Sequence, residues 1–299
     1  MIVQSIGNVS FKMKEICDFT FLDNYGQVFC VFAQNDSGNI SFGVANGKDK
    51  YFIKIAGAKT SESRQKPQEV VNALKQAAPL YKNLMHPNLI QLIEEFVHDD
   101  LYVLVFKWTE GDCLFDYWNF EMYAKNPEIV SPKERFRLLS CEKKLKAFNA
   151  IFDFLVYTES TGYVAVDFYD GSIMYDFHRD VVMICDIDFF RKCPSINNMG
   201  ENFWGTKRLK SPEEYIEGAQ IDNITNVFTL GALLMSFFGS FANDEIGKMY
   251  KENTFFPCRY ETWELSEALY KIALKAVNPD RKNRYGAMAA FYDAWNAGV

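Results

Sequence analysis

Val166-Asp167-Phe168-Tyr169-Asp170-Gly171-Ser172-Ile173-Met174 and, shortly after it, Val182-Met183-Ile184-Cys185-Asp186-Ile187-Asp188 decide how this chain is read. Each stretch is an apolar run with β-branched residues that delivers an acid where the run breaks. Ser172 to Phe177 and Val181 to Cys185 read as a short strand pair between the two acids. A carboxylate ending a buried apolar strand is costly to desolvate unless it serves a cation or a proton. A capping or turn aspartate would account for either acid alone, but not easily for both together with what lies downstream.

Downstream stand Gly205-Thr206-Lys207-Arg208-Leu209-Lys210-Ser211-Pro212-Glu213-Glu214 and Asp222-Asn223-Ile224-Thr225-Asn226-Val227-Phe228-Thr229-Leu230-Gly231. In order and spacing these residues resemble the eukaryotic-like protein kinases, as a divergent, bacterial-type member of that superfamily. Asp167 is similar to the catalytic-loop Asp of H-R-D-x-x-x-x-N, Asp186 to the Asp of D-F-G, and Ser211-Pro212-Glu213 to A-P-E.

Composition is compatible with such a catalytic unit. The chain has 299 residues, 48% of them apolar, with 27 Phe and 16 Tyr, enough for a sizeable core. A net charge of −7 without a long basic run argues against a nucleic-acid or anionic-membrane surface, leaving proteins or small molecules as partners. Seven scattered Cys (Cys17, Cys30, Cys113, Cys141, Cys185, Cys193, Cys258) and three isolated His offer neither a disulfide framework nor a structural zinc site. With no leader-like start at Met1 to Ser5 and no apolar run of spanning length, a cytoplasmic location is expected.

Strands are expected over Gln27 to Ala33, Asn39 to Ala45 and Tyr51 to Ala56, with Asn46-Gly47 as a hairpin signal. Pro67 opens a helix in which Val70, Val71, Leu74, Ala77, Ala78, Tyr81 and Leu84 recur at helical spacing, and His86-Pro87 closes it. Leu89 to Phe96 and Leu101 to Trp108 complete five strands. One long amphipathic helix is expected from Ser131 to Thr158, and helical patterns return after Asn226, ending near Trp295. The expected architecture is α+β: a bilobal kinase-like fold in one domain over 1–299. A small antiparallel lobe of five strands and one main helix (1–108) precedes a larger, mostly helical lobe (109–299).

The resemblance implies ATP and magnesium bound between the lobes and transfer of the γ-phosphoryl group to a hydroxyl, with a Ser/Thr protein as substrate. Lys54, a charge inside an apolar strand, matches the third-strand Lys that pairs with the α/β-phosphates. The alternative for it is an edge-strand lysine snorkelling to water. Asp186 would hold magnesium, with Ser172 standing where a second ligand is an Asn and Asp170 close by. Asp167 would take the acceptor proton. Phe106-Lys107-Trp108-Thr109 would hold adenine through backbone groups, Lys107 and Thr109 among them. Glu213 would pair with Arg284, with Arg281 as second choice.

Several supports depart from the family pattern. Only Gly38 survives in the phosphate loop, with Asn35-Asp36-Ser37 before it. The helix position that should pair with Lys54 is Ala77, and Glu69 lies roughly 12 Å away along the helix at about 1.5 Å per residue. Gln76 or Asp188 would have to substitute for that acid. Ala165 and Val166 replace the His and Arg before Asp167, Asp186-Ile187-Asp188 loses the glycine of D-F-G, and Asn226 replaces an Asp that braces the catalytic loop. These departures carry two rival readings, a pseudokinase-type nucleotide-binding regulator and a small-molecule kinase. Oligomeric state is not legible.

Overall fold

The computed structural model describes residues 1–34 and 37–299; Asn35 and Asp36, two of the altered phosphate-loop positions, lie outside the described residues. The chain divides into two compact units, Met1–Glu110 and Gly111–Val299.

The first unit is built on an antiparallel five-stranded sheet of order β3-β4-β5-β7-β6. Its strands are β3 (Gln27–Phe32), β4 (Ile40–Asn46), β5 (Asp49–Ala56), β6 (Leu92–His98) and β7 (Leu101–Lys107). Asn46 pairs with Asp49 across Gly47-Lys48, and Gly47 takes the positive φ of 61° that this tight turn requires. Along β5, Ile53 and Ile55 have no solvent exposure and share one core with Phe42, Val103 and Val105. The strand expected from Leu89, β6, begins at Leu92. Leu89 and Ile90 are buried, so they look like strand to a hydrophobicity reading, but they lie outside the ladder.

A hairpin that the sequence reading passed over, β1 (Ile2–Ile6) and β2 (Val9–Met13), precedes the sheet. Its strands alternate weakly; the Phe11 and Met13 side chains enter the core, and Ile6 packs against it half-buried. The main helix α1 (Pro67–Asn83) starts on proline, whose missing N–H costs nothing in the first turn. Val70, Val71, Leu74, Ala77, Ala78 and Tyr81 form its buried face, as their spacing predicts.

In the second unit, β8 (Asp112–Cys113) is followed by α2 (Phe120–Lys125), α3 (Pro132–Arg137) and α4 (Cys141–Ser160). The single helix expected from Ser131 to Thr158 is therefore two. Ser131 caps α3 and Ser140 caps α4, the latter accepting the Lys143 N–H at 3.4 Å, and a second N-cap in mid-pattern starts a new helix. Two ammonium and guanidinium groups close the carbonyl ends nearby. Lys144, fully buried, donates to the carbonyls of Arg137 (3.1 Å) and Phe237 (3.3 Å) and pairs with Glu264, and Arg137 donates to the Gly239 carbonyl at 3.1 Å.

After β9 (Tyr163–Val164), the strand pair read from the sequence is present as β10 (Ile173–Asp176) and β11 (Val181–Ile184), with β8 on the far side of β10. Short strands β12 (Arg191–Lys192), β13 (Ser195–Ile196) and β14 (Gln220–Ile221) lead to α5 (Asn223–Phe238), which is buried almost all round. After α6 (Asn243–Glu252), the helices α7 (Glu267–Ala276) and α8 (Met288–Gly298) pack against α5. Among the described residues no helix is long and apolar enough to cross a membrane.

Gly231 lies where α5 meets the end of α7. A Cβ there would stand 2.8 Å from the Ala276 Cβ and 2.9 Å from a Val277 methyl. Gly231→Ala should therefore destabilise the protein by roughly 1–3 kcal/mol, as overpacking does, although alanine is by about 1 kcal/mol the better helix former. A urea midpoint at or above that of the parent would contradict this packing.

Candidate functional site

Lys54 sits in β5, which is hydrogen-bonded on both sides: Lys54 pairs with Ser41 of β4 and with Leu104 of β7. It is only 9% exposed. The edge-strand alternative therefore fails, because β5 has no free edge. A buried ammonium in the interior of a sheet demands an anionic or hydrogen-bonding role.

On α1, Ala77 and Ala78 lie on the buried face and Gln76 on the exposed one. Glu69, the only acid of this helix, is exposed and accepts the Lys66 N–H at 3.2 Å, closing the helix start. Neither Gln76 nor Glu69 is thus placed to substitute for the acid missing at Ala77.

Gly38 has φ 82°, and a Cβ on it would lie 2.6 Å from the Ser63 hydroxyl and 2.9 Å from a Val70 methyl. The positive φ and the packing against Ser63 and α1 account for glycine at this position. Lys107 is exposed at the end of β7; its N–H donates to the Gln91 carbonyl at 2.9 Å, and the Trp108 N–H donates to the Lys50 carbonyl at 3.0 Å. The Lys107 amide expected to face adenine is thus already committed within the first unit. Thr109 follows, half-buried, beyond the strand end.

In the second unit Asp167 leaves β9 after Ala165 and Val166, and Asp186 leaves β11 after Cys185. Both adopt left-handed backbone, φ 59° and 53°. That conformation costs an L-residue energy, and short polar Asp and Asn tolerate it best. The burial argument made from the sequence is corrected here: Asp186 is exposed and Asp167 half-buried. Desolvation does not single these acids out; their backbone geometry does.

Ser172 joins the two loops. It is fully buried, its Oγ donates to the Asp167 carbonyl at 3.4 Å, and its own carbonyl accepts the N–H of Cys185, the residue before Asp186, at 2.9 Å. Asn226 braces the loop from α5. Its Oδ1 accepts the Ala165 N–H and its Nδ2 donates to the Ala165 carbonyl, both at 2.8 Å. The substitution of Asn for Asp therefore preserves the brace, since an amide satisfies both peptide groups of Ala165 where a carboxylate would accept from only one.

Asp170 is not available as the extra magnesium ligand its position suggested. Fully buried, it is paired with Arg208 and, at 3.2 Å, with Lys133. Burial pulls the Lys133 pKa down against the opposing attraction of Asp170. Sequence reasoning also missed Tyr169, whose ring folds over Gly171 so closely that a Cβ there would lie 2.4 Å away. Burial raises the pKa of its phenol, and the charges of Asp186 and Asp167 raise it further, which places the ring in the field of both acids. Only the glycine beside it, which leaves room for the ring, hinted at this.

Beyond the loop, Arg284 grips Glu213 in a two-pronged pair, NH1 to Oε1 at 2.7 Å and NH2 to Oε2 at 3.0 Å. The guanidinium is 0% and the carboxylate 8% exposed. The expected partner is the observed one. Arg281, the second choice, instead donates to Asp222 at 2.6 Å and to the Gln220 carbonyl at 2.9 Å. The neighbouring Glu214 accepts from the N–H and hydroxyl of Ser211 at 2.7 and 2.9 Å, yet burial raises its carboxyl to about 7.

No group of three or more His, Cys, Asp or Glu suited to a metal occurs among the described residues. The carboxylate of Asp186 and the hydroxyl of Ser172 are hard oxygen donors of the kind magnesium takes, alongside several waters and phosphate. They do not fit a resident zinc, which takes three or four protein ligands.

The family model for the protein kinase domain matches residues 36–296, nearly the whole chain, and the chain belongs to that family. No curated protein matches it.

Two outcomes follow from the acids of the Ser211-Glu214 turn. Arg284→Met should cost about 3–5 kcal/mol, because it strands a buried carboxylate; a change below 1 kcal/mol in urea unfolding would show that Glu213 is held otherwise. Glu214 carries the opposite sign of a salt-bridged acid. Its folded pKa lies above the ordinary 4.5, so the associated stability is complete below about pH 4.5 and is lost as pH rises to about 7. Glu214→Gln, which keeps the acceptor for Ser211, should gain on the parent from pH 5 to pH 8, by at most about 3 kcal/mol at about 1.4 kcal/mol per pKa unit. A difference independent of pH would refute that assignment.

Proposed function

We propose that this protein is a divergent Ser/Thr protein kinase that uses ATP and magnesium and works in the cytoplasm. The carrying observation is the catalytic loop: Asp167 and Asp186 in left-handed backbone, tied together through Ser172 and braced by Asn226.

In this reading Asp167 orients the acceptor hydroxyl and takes its proton as the new bond to phosphorus forms. Lys54 supplies a fixed cation for the nucleotide phosphates, and Gly38, Lys107 and Thr109 belong to the nucleotide-binding segments. Asp186 and Ser172 hold the metal, which neutralises charge on the phosphate oxygens when bound. Membership of the protein kinase family supports a protein substrate over a small molecule.

A second reading, a nucleotide-binding regulator without transfer activity, is favoured by one observation: Ala77 stands on the buried face of α1 and the only acid of that helix is occupied at its start.

The two are separated by paired assays. Magnesium-ATP should raise the melting temperature by binding linkage, and Asp186→Ala should reduce the rise. Asp167→Asn, isosteric and tolerated at φ 59°, should leave that rise nearly intact while lowering transfer to a generic Ser/Thr protein by at least about 100-fold, the usual scale of general-base contributions. Stabilisation without transfer in the parent selects the regulator; no stabilisation at millimolar magnesium-ATP defeats both readings.

A further inference from the structure

We propose that a basic cavity in the second unit, walled by Lys133, Arg137 and Arg208, receives an anionic side chain, carboxylate or phosphate, of the protein substrate. The inference rests on the kinase reading for the word substrate, but the site itself stands on its own geometry.

The cavity measures about 130 Å³. It opens between α3, which brings Lys133 and Arg137, the Gly205-Glu213 segment, which brings Arg208, the end of α5 with Ser236, and α6 with Ile246 and Met249. That volume is below the roughly 300–1,000 Å³ of pockets that enclose whole small ligands, and suits one side chain with a few waters. Phe241 and Phe255 add apolar wall, which keeps the local dielectric low and strengthens any charge-assisted bond formed inside.

Three cations face two carboxylates here. Asp170 takes one bond from Arg208 and pairs with Lys133, while Glu134, half exposed, sits 3.3 Å from Arg137. Two donors and one acceptor remain over. Arg137 Nε, Arg208 Nη1 and Asp170 Oδ2 are buried without a hydrogen-bond partner among the described residues, and both arginines line this one cavity. A buried guanidinium N–H without an acceptor is costly, and an oxyanion entering between the two arginines is an acceptor toward which either guanidinium can turn.

Placement gives the site its meaning. Asp170, which anchors Arg208 and Lys133, belongs to the same 3-10 turn as Ser172 and follows Asp167 closely in the catalytic loop. An anion held by these cations is therefore held beside the loop that would meet the acceptor hydroxyl. The chain as a whole carries a net charge of −7, which argues against a basic surface for nucleic acid or lipid.

The test is fluorescence anisotropy on the full chain, without nucleotide, using a labelled Ser-containing peptide flanked by Glu, its Gln counterpart and a phosphoserine-flanked version. The Glu peptide should bind at least about 10-fold more tightly than the Gln peptide, weaken with salt, and be displaced by inorganic phosphate. The phosphoserine arm ranks the two sources: tighter binding than the Glu peptide assigns the site to phosphate, weaker binding to carboxylate. Arg208→Gln should abolish the preference. Should that variant fold poorly through the loss of the Asp170 pair, Ser236→Glu, which puts a carboxylate on the cavity wall, should lower Glu-peptide affinity about 10-fold at an unchanged melting temperature. Equal binding of the Glu and Gln peptides, or indifference to Ser236→Glu, overturns the proposal. Selective binding with no phosphoryl transfer in the Asp167 assay keeps the site and removes only the kinase reading.

Discussion

A carboxylate and a guanidinium shut away from water at Glu213 and Arg284 organise the second unit. Arg284 also donates to the carbonyls of Asn278, at 2.6 Å, and Pro279, at 3.2 Å, while Glu213 accepts a further bond from the Thr225 hydroxyl at 3.0 Å. Three parts of the chain far apart in sequence thus meet at one ion pair: the Ser211-Glu214 turn, the first turn of α5 and the loop before α8. Such a pair contributes little net stability over a well-packed apolar replacement, because desolvation offsets the attraction; what it enforces is position, since neither partner can leave alone. The same α5 that is tethered at Thr225 presents Asn226 to Ala165 one residue later. The conformation of the Asp167 loop depends on the place of that helix.

The family resemblance was legible wherever a residue does one chemical task in one local frame. Lys54, Asp167 and Asp186 could be read from a charge within or after an apolar run, and the Glu213–Arg284 pair from the resemblance of Ser211-Pro212-Glu213 to A-P-E; the structure gives each a definite setting. Periodicity found the strands of the five-stranded sheet and the buried face of α1. It failed between Ser131 and Thr158, since apolar spacing continues across Leu138-Leu139 and only the capping role of Ser140 shows that one helix stops and another starts.

What was not legible depends on contacts between distant residues. Gly38 could be read as the remnant of a phosphate loop, but its closeness to Ser63 and Val70 appears only once α1 is docked. Asp170 looked like a spare ligand until Lys133 and Arg208, one on each side of it in sequence, were seen to enclose it. The cost argument for Asp167 and Asp186 was sound for a buried carboxylate and wrong for these, because exposure is a property of the assembled surface and not of the apolar run that precedes the acid.

The left-handed backbone at Asp167 and Asp186 also bears on descent. At φ 59° and 53° the residues that fit at small cost are Asp, Asn and Gly, while β-branched and bulky residues are disfavoured by the same sterics. A lineage losing its acids there therefore drifts first to amide or glycine, replacements that remove the carboxylates yet leave the loop its shape. The side-chain chemistry and the architecture of this loop can be inherited separately, and a descendant without the acids would still fold.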